Sequence, residues 1–203
     1  MPPEPAPRAP GHAQRTLRAL ADELLEEQHV EYIDDGVLTI MPPAGFTHAR
    51  ILKKIIDAFY DAHHSGLTPA HWDLRSENFQ FDLVDDPQKF FVPDLAVAHP
   101  GSTNNREFRE NLALVAEVTS PASPQTVRND RGVKSKQYAK AGIGLYLLVD
   151  QELGTWTLFG LDGEWPGYQV HGSGRYGQPI ELPEPFGFTI PTDEWPAYRA
   201  DED

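Results

Sequence analysis

Two carboxylates and one lysine in this chain have spacings that could form a hydrolytic centre. Asp94 lies in an apolar run at residues 91–97, and Glu117 lies near the end of a second apolar run at residues 112–118. Two lone carboxylates on neighbouring buried strands are energetically costly unless a cation lies between them. A divalent metal ion is the usual cation, and a nearby lysine, here Lys134, would complete the centre.

Each of these residues also has an ordinary structural explanation. Asp94 could cap a turn at a strand end, and Glu117 could form an ion pair with a basic residue of the following helix. Lys134 follows Asp130 by four residues, a spacing at which an ion pair on a helix surface contributes about 0.3–0.5 kcal/mol. Tyr138 lies another four residues on, so that Asp130, Lys134 and Tyr138 share one helical face. If this face turns towards the two acids, Lys134 approaches both a metal ion and a scissile phosphate.

The chain is strongly acidic, but its charge is unevenly distributed. It has 17 Lys and Arg against 31 Asp and Glu, a formal net charge of −14, which disfavours broad attraction to nucleic acid or to an anionic membrane. Between residues 126 and 141 the balance inverts, because one acid, Asp130, is set against Arg128, Arg131, Lys134, Lys136 and Lys140. This segment could meet a phosphate backbone, or it could be an ordinary solvated helix.

Composition also bears on the compartment. The absence of cysteine excludes disulfides and cysteine-ligated zinc, and it is compatible with the cytoplasmic location that we expect. No apolar stretch approaches the roughly 20 residues needed to cross a bilayer, so we expect no membrane partner. The proline-rich residues 1–10 lack the apolar core of a signal peptide and are typical of a disordered tail.

Apolar patterning predicts one α+β domain. The predicted helices are residues 15–28, about 46–63 and about 125–142, the last ending at Gly142. The predicted strands are residues 30–33, 37–41, 90–98, 112–118, 145–149, 156–159, 168–170 and 180–182. Asp34-Asp35-Gly36 predicts a hairpin turn between the first two strands, and residues 101–110 are predicted to be a polar loop.

Several ordered motifs resemble one protein family. The motifs are residues 32–38, 41–43, His48, 117–121, 130–134, 138–143 and 146–150. Together they resemble the Uma2 family of restriction-endonuclease-like proteins, part of the PD-(D/E)xK nuclease superfamily, over about residues 20–191. The resemblance implies a restriction-endonuclease-like mixed central sheet flanked by helices, with an N-terminal helix and a β-hairpin.

The resemblance also implies a site. Asp94 would be the first acidic metal ligand and Glu117 the second, and the ion would be Mg²⁺ or Mn²⁺. The superfamily usually has lysine two residues after the second acid, but Thr119 is there, so Lys134 of the following helix would supply the lysine. His48, Ser120, Asp130 and Tyr138 would support the site, although for His48 a structural role is favoured over a place in the cleft. Contacts to phosphate would come from Arg128, Arg131 and Lys136.

From this resemblance we expect a metal-dependent endonuclease that hydrolyses phosphodiester bonds of nucleic acid, with DNA as the expected partner. Because many nucleases of the superfamily pair to cut two strands, a homodimer is also suggested. The expected organisation is a disordered tail at 1–14, a single nuclease-like domain at 15–198 and an acidic tail at 199–203. The alternative is a non-catalytic binding module on the same fold that acts through protein or nucleic-acid partners, which the acidic charge and Thr119 favour.

Overall fold

The computed structural model of the protein describes residues 12–24, 30–32, 38–40, 44–68, 71–76, 79–119, 129–161 and 167–199. The helices are α1 (His12–Leu24), α2 (Phe46–His64), α3 (Asn105–Glu110) and α4 (Ser135–Lys140), and a π-helical turn (Asn129–Lys134) leads directly into α4. The strands are β1 (Val30–Glu31), β2 (Thr39–Ile40), β3 (Asp73–Ser76), β4 (Phe81–Asp82), β5 (Phe90–Phe91), β6 (Leu95–Ala98), β7 (Leu112–Thr119), β8 (Leu145–Asp150), β9 (Thr155–Leu161), β10 (Tyr168–Arg175), β11 (Ile180–Glu181) and β12 (Thr189–Ile190).

The chain divides into two compact units, of which the first comprises residues 1–43 and 77–92. Its core is built on the apolar face of α1, where Ala21 packs with Val30, Tyr32 and Phe90. Strands β1 and β2 pair antiparallel, as the predicted hairpin requires, and the turn between them lies outside the described residues. The predicted N-terminal helix is confirmed over residues 15–24, although it begins three residues earlier, at His12, and the rest of its predicted range lies outside the described residues.

The second unit, residues 44–76 and 93–203, contains the central sheet. Its strand order is β10-β9-β8-β7-β6-β3, with β7 and β8 parallel and the other neighbours antiparallel. Parallel neighbours need a crossover connection, and here the chain between β7 and β8 contains α4. The mixed central sheet and its flanking helices confirm the predicted fold class.

One face of this sheet carries the main core. Side chains alternate between the two faces of a strand, so every second residue of β6, β7 and β8 enters this core. Helix α2 lies on this face through Ile51, Ile55 and Phe59, and Phe59 makes edge-to-face contacts with Phe186 and Phe188. The core members from these three strands are Leu95, Val97, Leu114, Ala116, Val118, Leu145, Leu147 and Val149, and Ala113 near the start of β7 joins them outside the alternation. Val115, Glu117 and Tyr146, at the intervening positions, therefore point to the opposite face.

Three predictions of local structure are wrong in part. Residues 90–98 do not form one strand, because β5 and β6 belong to different sheets and Pro93, which lacks an amide donor, lies between them. The predicted loop at 101–110 contains α3, whose first turn is capped by Asn104 through bonds from the amides of Arg106 and Glu107. Strand β10 extends to Arg175, five residues beyond the predicted end, and β12 was not predicted.

The helix before Gly142 is confirmed in its described part, and Gly142 ends it as predicted. Gly142 adopts a positive φ of 77°, a conformation that glycine adopts without the steric cost of a Cβ. In the described part of the chain no helix is long and apolar enough to cross a membrane. The limits predicted for the tails and the domain stay predictions.

Candidate active site

Asp94 lies directly before β6, beside the strand that contains Glu117. The antiparallel register pairs Leu95 with Ala116, so the paired residues end one position short of Asp94 and Glu117. The Val118 amide donates a 2.6 Å hydrogen bond to Asp94 Oδ2, which fixes the aspartate at the point where β6 begins.

Glu117 is buried and held by two side chains from the crossover helix. The Tyr138 hydroxyl donates to Glu117 Oε1 at 2.6 Å, and the Lys134 ammonium donates to Glu117 Oε2 at 3.1 Å. The side chains of Glu117 and Lys134 are each 2% exposed. The sequence offered an ion pair with the following helix as the structural explanation of a buried Glu117, and this ion pair is present. Its lysine, Lys134, is the same residue that the prediction of a metal site assigned to the hydrolytic centre.

Lys134 also contacts a second acid. Its Nζ lies 2.9 Å from Asp130 Oδ1, and the Asp130 side chain is as buried as that of Lys134. The i,i+4 spacing was interpreted as a possible surface pair, but the helical face turns inwards, towards Glu117. Asp130, Lys134 and Tyr138 thus do share a face, although Asp130 and Lys134 belong to a π-helical turn rather than to a regular α-helix.

His48 reaches Asp94 from another element. It is the third residue of α2, and its Nε2 lies 3.0 Å from Asp94 Oδ2. Burial raises the pKa of Asp94, but the His48 ring, the Lys134 charge and the Val118 amide together lower it by more than burial raises it. The pKa therefore lies below the ordinary value of 3.8. Asp94 is therefore ionised at neutral pH, as a metal ligand must be.

Tyr146 belongs to this cluster and was not identified from the sequence. Its hydroxyl donates to the Asp130 carbonyl at 2.7 Å, and its ring lies 5.4 Å from that of Tyr138. Burial, reinforced by the negative charges of Glu117 and Asp130, raises the pKa of Tyr146 well above 10, so the phenol stays protonated. The available signal was its position in an apolar strand, because a buried tyrosine hydroxyl usually needs a hydrogen-bond partner.

Three of the remaining predicted residues have no described side chain. Ser120 and Arg128 lie outside the described residues, as does the side chain of Arg131. Lys136 is exposed on α4, where it could contact a phosphate. Thr119, at the usual position of the superfamily lysine, is buried and pairs in register with Asp150. The catalytic, supporting and phosphate-binding roles of all these residues stay predictions.

The donor set fits a hard divalent cation in part. Mg²⁺ is commonly held by one or two carboxylates, with waters and substrate phosphates completing six oxygen ligands. Within the described residues the hydrogen bonds to Asp94 both go to Oδ2, so Oδ1 is the oxygen that remains for a cation. The same residues contain no group of three or more His, Cys, Asp or Glu that could hold a metal ion. An ion at this place would have Asp94 and Glu117 as its carboxylate ligands and would need water and phosphate oxygens to complete its coordination.

Two comparisons with known proteins find little sequence identity. The fold is similar to a solved structure described as "a putative nuclease belonging to DUF820" from Anabaena variabilis, with a TM-score of 0.53 and 17% identity over 82% of this chain and 90% of that one. At this identity the likeness shows the fold alone. A 104-residue segment, 50% of this chain, is 29% identical to calcium-dependent protein kinase SK5 of Glycine max and spans 18% of that protein. A match to so small a part carries no activity to this chain.

A family model matches most of the chain. The model is that of Uma2, described as "Putative restriction endonuclease", and the match covers residues 16–193. This range contains every residue of the buried cluster, from His48 to Tyr146. The resemblance expected from the ordered motifs is confirmed, and the chain belongs to the Uma2 family.

Proposed function

We propose that this protein is a metal-dependent endonuclease that hydrolyses phosphodiester bonds, with DNA as its substrate. The observation that carries the proposal is the buried Glu117, which has the ammonium of Lys134 3.1 Å away and lies on the strand next to Asp94. Membership of a family described as "Putative restriction endonuclease" supports the reaction class. Fixed carboxylates beside a fixed positive charge are the protein groups that phosphodiester hydrolysis with a divalent cation requires.

In this proposal Asp94 and Glu117 hold Mg²⁺ or Mn²⁺. When bound, such an ion lowers the pKa of a water ligand and neutralises charge on the phosphate. The Val118 amide and His48 hold Asp94 in one orientation, and Tyr138 holds Glu117. This fixed geometry reduces the reorganisation needed when the substrate arrives.

Lys134 supplies positive charge where negative charge develops on the phosphate as water attacks. The proposed path of the phosphate backbone includes the basic segment around Lys136, with Arg128 and Arg131 as further contacts. A local excess of positive charge lets an acidic chain bind a polyanion, and such binding weakens as salt is added.

Cleavage of supercoiled plasmid with Mg²⁺ or Mn²⁺ tests the proposal. Asp94→Asn and Glu117→Gln are expected to lower the cleavage rate by at least about 100-fold, as the loss of a fixed electrostatic group at a reacting centre commonly does. Asp57→Asn is the matched control, because Asp57 is an exposed acid paired with Lys53 on α2. If two copies act together, linear plasmid appears early beside nicked plasmid. A parallel reaction with single-stranded RNA tests the assignment of DNA.

Equal cleavage by the wild-type protein and both site variants would reject the assignment, because the activity would then come from another site or from a contaminant. A second candidate function is a binding module that does not cleave. The contact of Lys134 with Glu117 favours it, since an ammonium already compensates the acid that would bind the ion. Absence of both cleavage and Mn²⁺ binding in the wild-type protein would select this second function.

A further inference from the structure

The ammonium of Lys134 is shared between two buried carboxylates. Its Nζ lies 3.1 Å from Glu117 Oε2 and 2.9 Å from Asp130 Oδ1, and the three side chains are each 2% exposed. An ammonium group has three hydrogen-bond donors, so it can hold both contacts at once. It can also keep either contact when the other is lost.

The two acids differ in what else fixes them. Glu117 is additionally held through its other oxygen, Oε1, by Tyr138. Asp130 lies in the same π-helical turn as Lys134, and its carbonyl accepts a hydrogen bond from Tyr146. The carboxylate of Glu117 and the backbone of Asp130 therefore each have a support that does not depend on the ammonium, and movement of Lys134 need not displace either of them.

A cation bound at Glu117 Oε2 would meet this ammonium at short range. A metal–oxygen distance is about 2.1 Å, so a metal ion and Nζ on the same oxygen are at most about 5 Å apart. Two positive charges this close repel each other, and a buried site is screened little by salt. The metal ion and the ammonium therefore compete for Glu117.

We propose that Asp130 is a positioning residue, which holds the Lys134 ammonium away from Glu117 when the cation binds. This inference rests on the proposed function, because it takes Glu117 as a cation ligand. The cation weakens the contact of Lys134 with Glu117, and the contact with Asp130 keeps the ammonium compensated and beside the phosphate. Without Asp130, the ammonium is held by Glu117 and opposes cation binding more strongly.

Mn²⁺ affinity of the full chain tests this, measured from the electron paramagnetic resonance signal of free Mn²⁺ without substrate. Lys134→Met removes the competitor and is expected to lower the dissociation constant about tenfold, or about 1.4 kcal/mol. Asp130→Asn is expected to raise it by a similar factor. Lys53→Met and Asp57→Asn, which break an exposed pair of the same spacing, should leave it unchanged.

The double variant Asp130→Asn/Lys134→Met separates positioning from charge. It has the same formal charge as the wild-type protein, because it loses one acid and one base. If Asp130 acts through Lys134, its replacement has no effect once the lysine is gone, and the double variant binds Mn²⁺ as tightly as Lys134→Met. If Asp130 contributes only charge, the double variant returns to the wild-type affinity, and the inference is overturned. Should Asp130→Asn alone fail to fold, the comparison of Lys134→Met with the double variant still decides.

Failure of this inference can be told apart from failure of the proposed function. Wild-type binding that Glu117→Gln abolishes, with no change in the Lys134 and Asp130 variants, overturns the inference and keeps Glu117 as a ligand. Binding that Glu117→Gln does not alter, or no binding at all, overturns both. Circular dichroism and thermal melting of each variant establish that the compared proteins are folded.

Discussion

The hydrogen bond from the Tyr138 hydroxyl to Glu117 Oε1 is 2.6 Å long and buried, and its removal should be costly. Tyr138→Phe deletes one oxygen and keeps the ring, which is fully buried. Hydrogen bonds to charged groups contribute about 1.5–3 kcal/mol, so we expect a loss of this size in the free energy of unfolding. For a chain of 150–250 residues, about 1 kcal/mol lowers the melting temperature by about 2–4 °C, which predicts a fall of about 3–12 °C.

Urea denaturation of the wild-type protein and the variant measures the loss from the shift of the midpoint at constant slope. Tyr146→Phe is the matched control, because Tyr146 is equally buried but donates to a neutral acceptor, the Asp130 carbonyl, at 2.7 Å. A neutral hydrogen bond contributes about 0.5–1.5 kcal/mol, so this control should be the milder change. If Tyr138→Phe costs no more than Tyr146→Phe, Glu117 does not act as a buried charged acceptor, and the electrostatic description of the cluster is refuted.

Two further predictions concern stability. The pKa of Asp94 is lower in the folded protein than its ordinary value of 3.8, so its contribution to the free energy of unfolding is complete above that value and is lost as pH falls through the folded pKa. Asp94→Asn should therefore flatten the acid limb of the curve of stability against pH. An unchanged limb would contradict the pKa argument. Gly174→Ala should cost about 1–3 kcal/mol in thermal or urea unfolding, because its Cβ would lie 2.7 Å from the ring of Trp156, which is hydrogen-bonded to the Gln178 carbonyl. Gly172→Ala, with a Cβ 3.6 Å from the same ring, is the control and should be tolerated; equal costs would exclude the steric explanation.

Local patterning was enough for the long elements of the fold. The apolar runs that became β7 and β8 are buried on both faces, and such strands are recognisable as continuous apolar sequence. The stripe of α2 and the positive φ of Gly142 follow from local periodicity and local backbone preference. The separation of β5 from β6 was missed although Pro93 lies between them, because both segments are apolar and the sequence does not show that they pair in different sheets.

For the site residues, too, some properties follow from the local sequence and others only from tertiary packing. Asp94 and Glu117 could be singled out because a lone acid in an apolar strand needs compensation, and Lys134 because it lies in a basic helix. The inward direction of Lys134 and the approach of His48 from a distant helix depend on how elements pack. The spacing of residues in the sequence indicates neither the direction of Lys134 nor the approach of His48.

The sequence by itself determined the family, the fold class and the chemical types in the cluster, since these depend on residue identity and on short-range periodicity. Tertiary structure decided that Asp94 lies beside the strand that contains Glu117, because β6 and β7 pair antiparallel. It also decided that one ammonium lies between two carboxylates, because only packing removes water from that helical face. Charges that would be screened in solvent then interact strongly, and residues of ordinary type acquire the properties of a candidate active site.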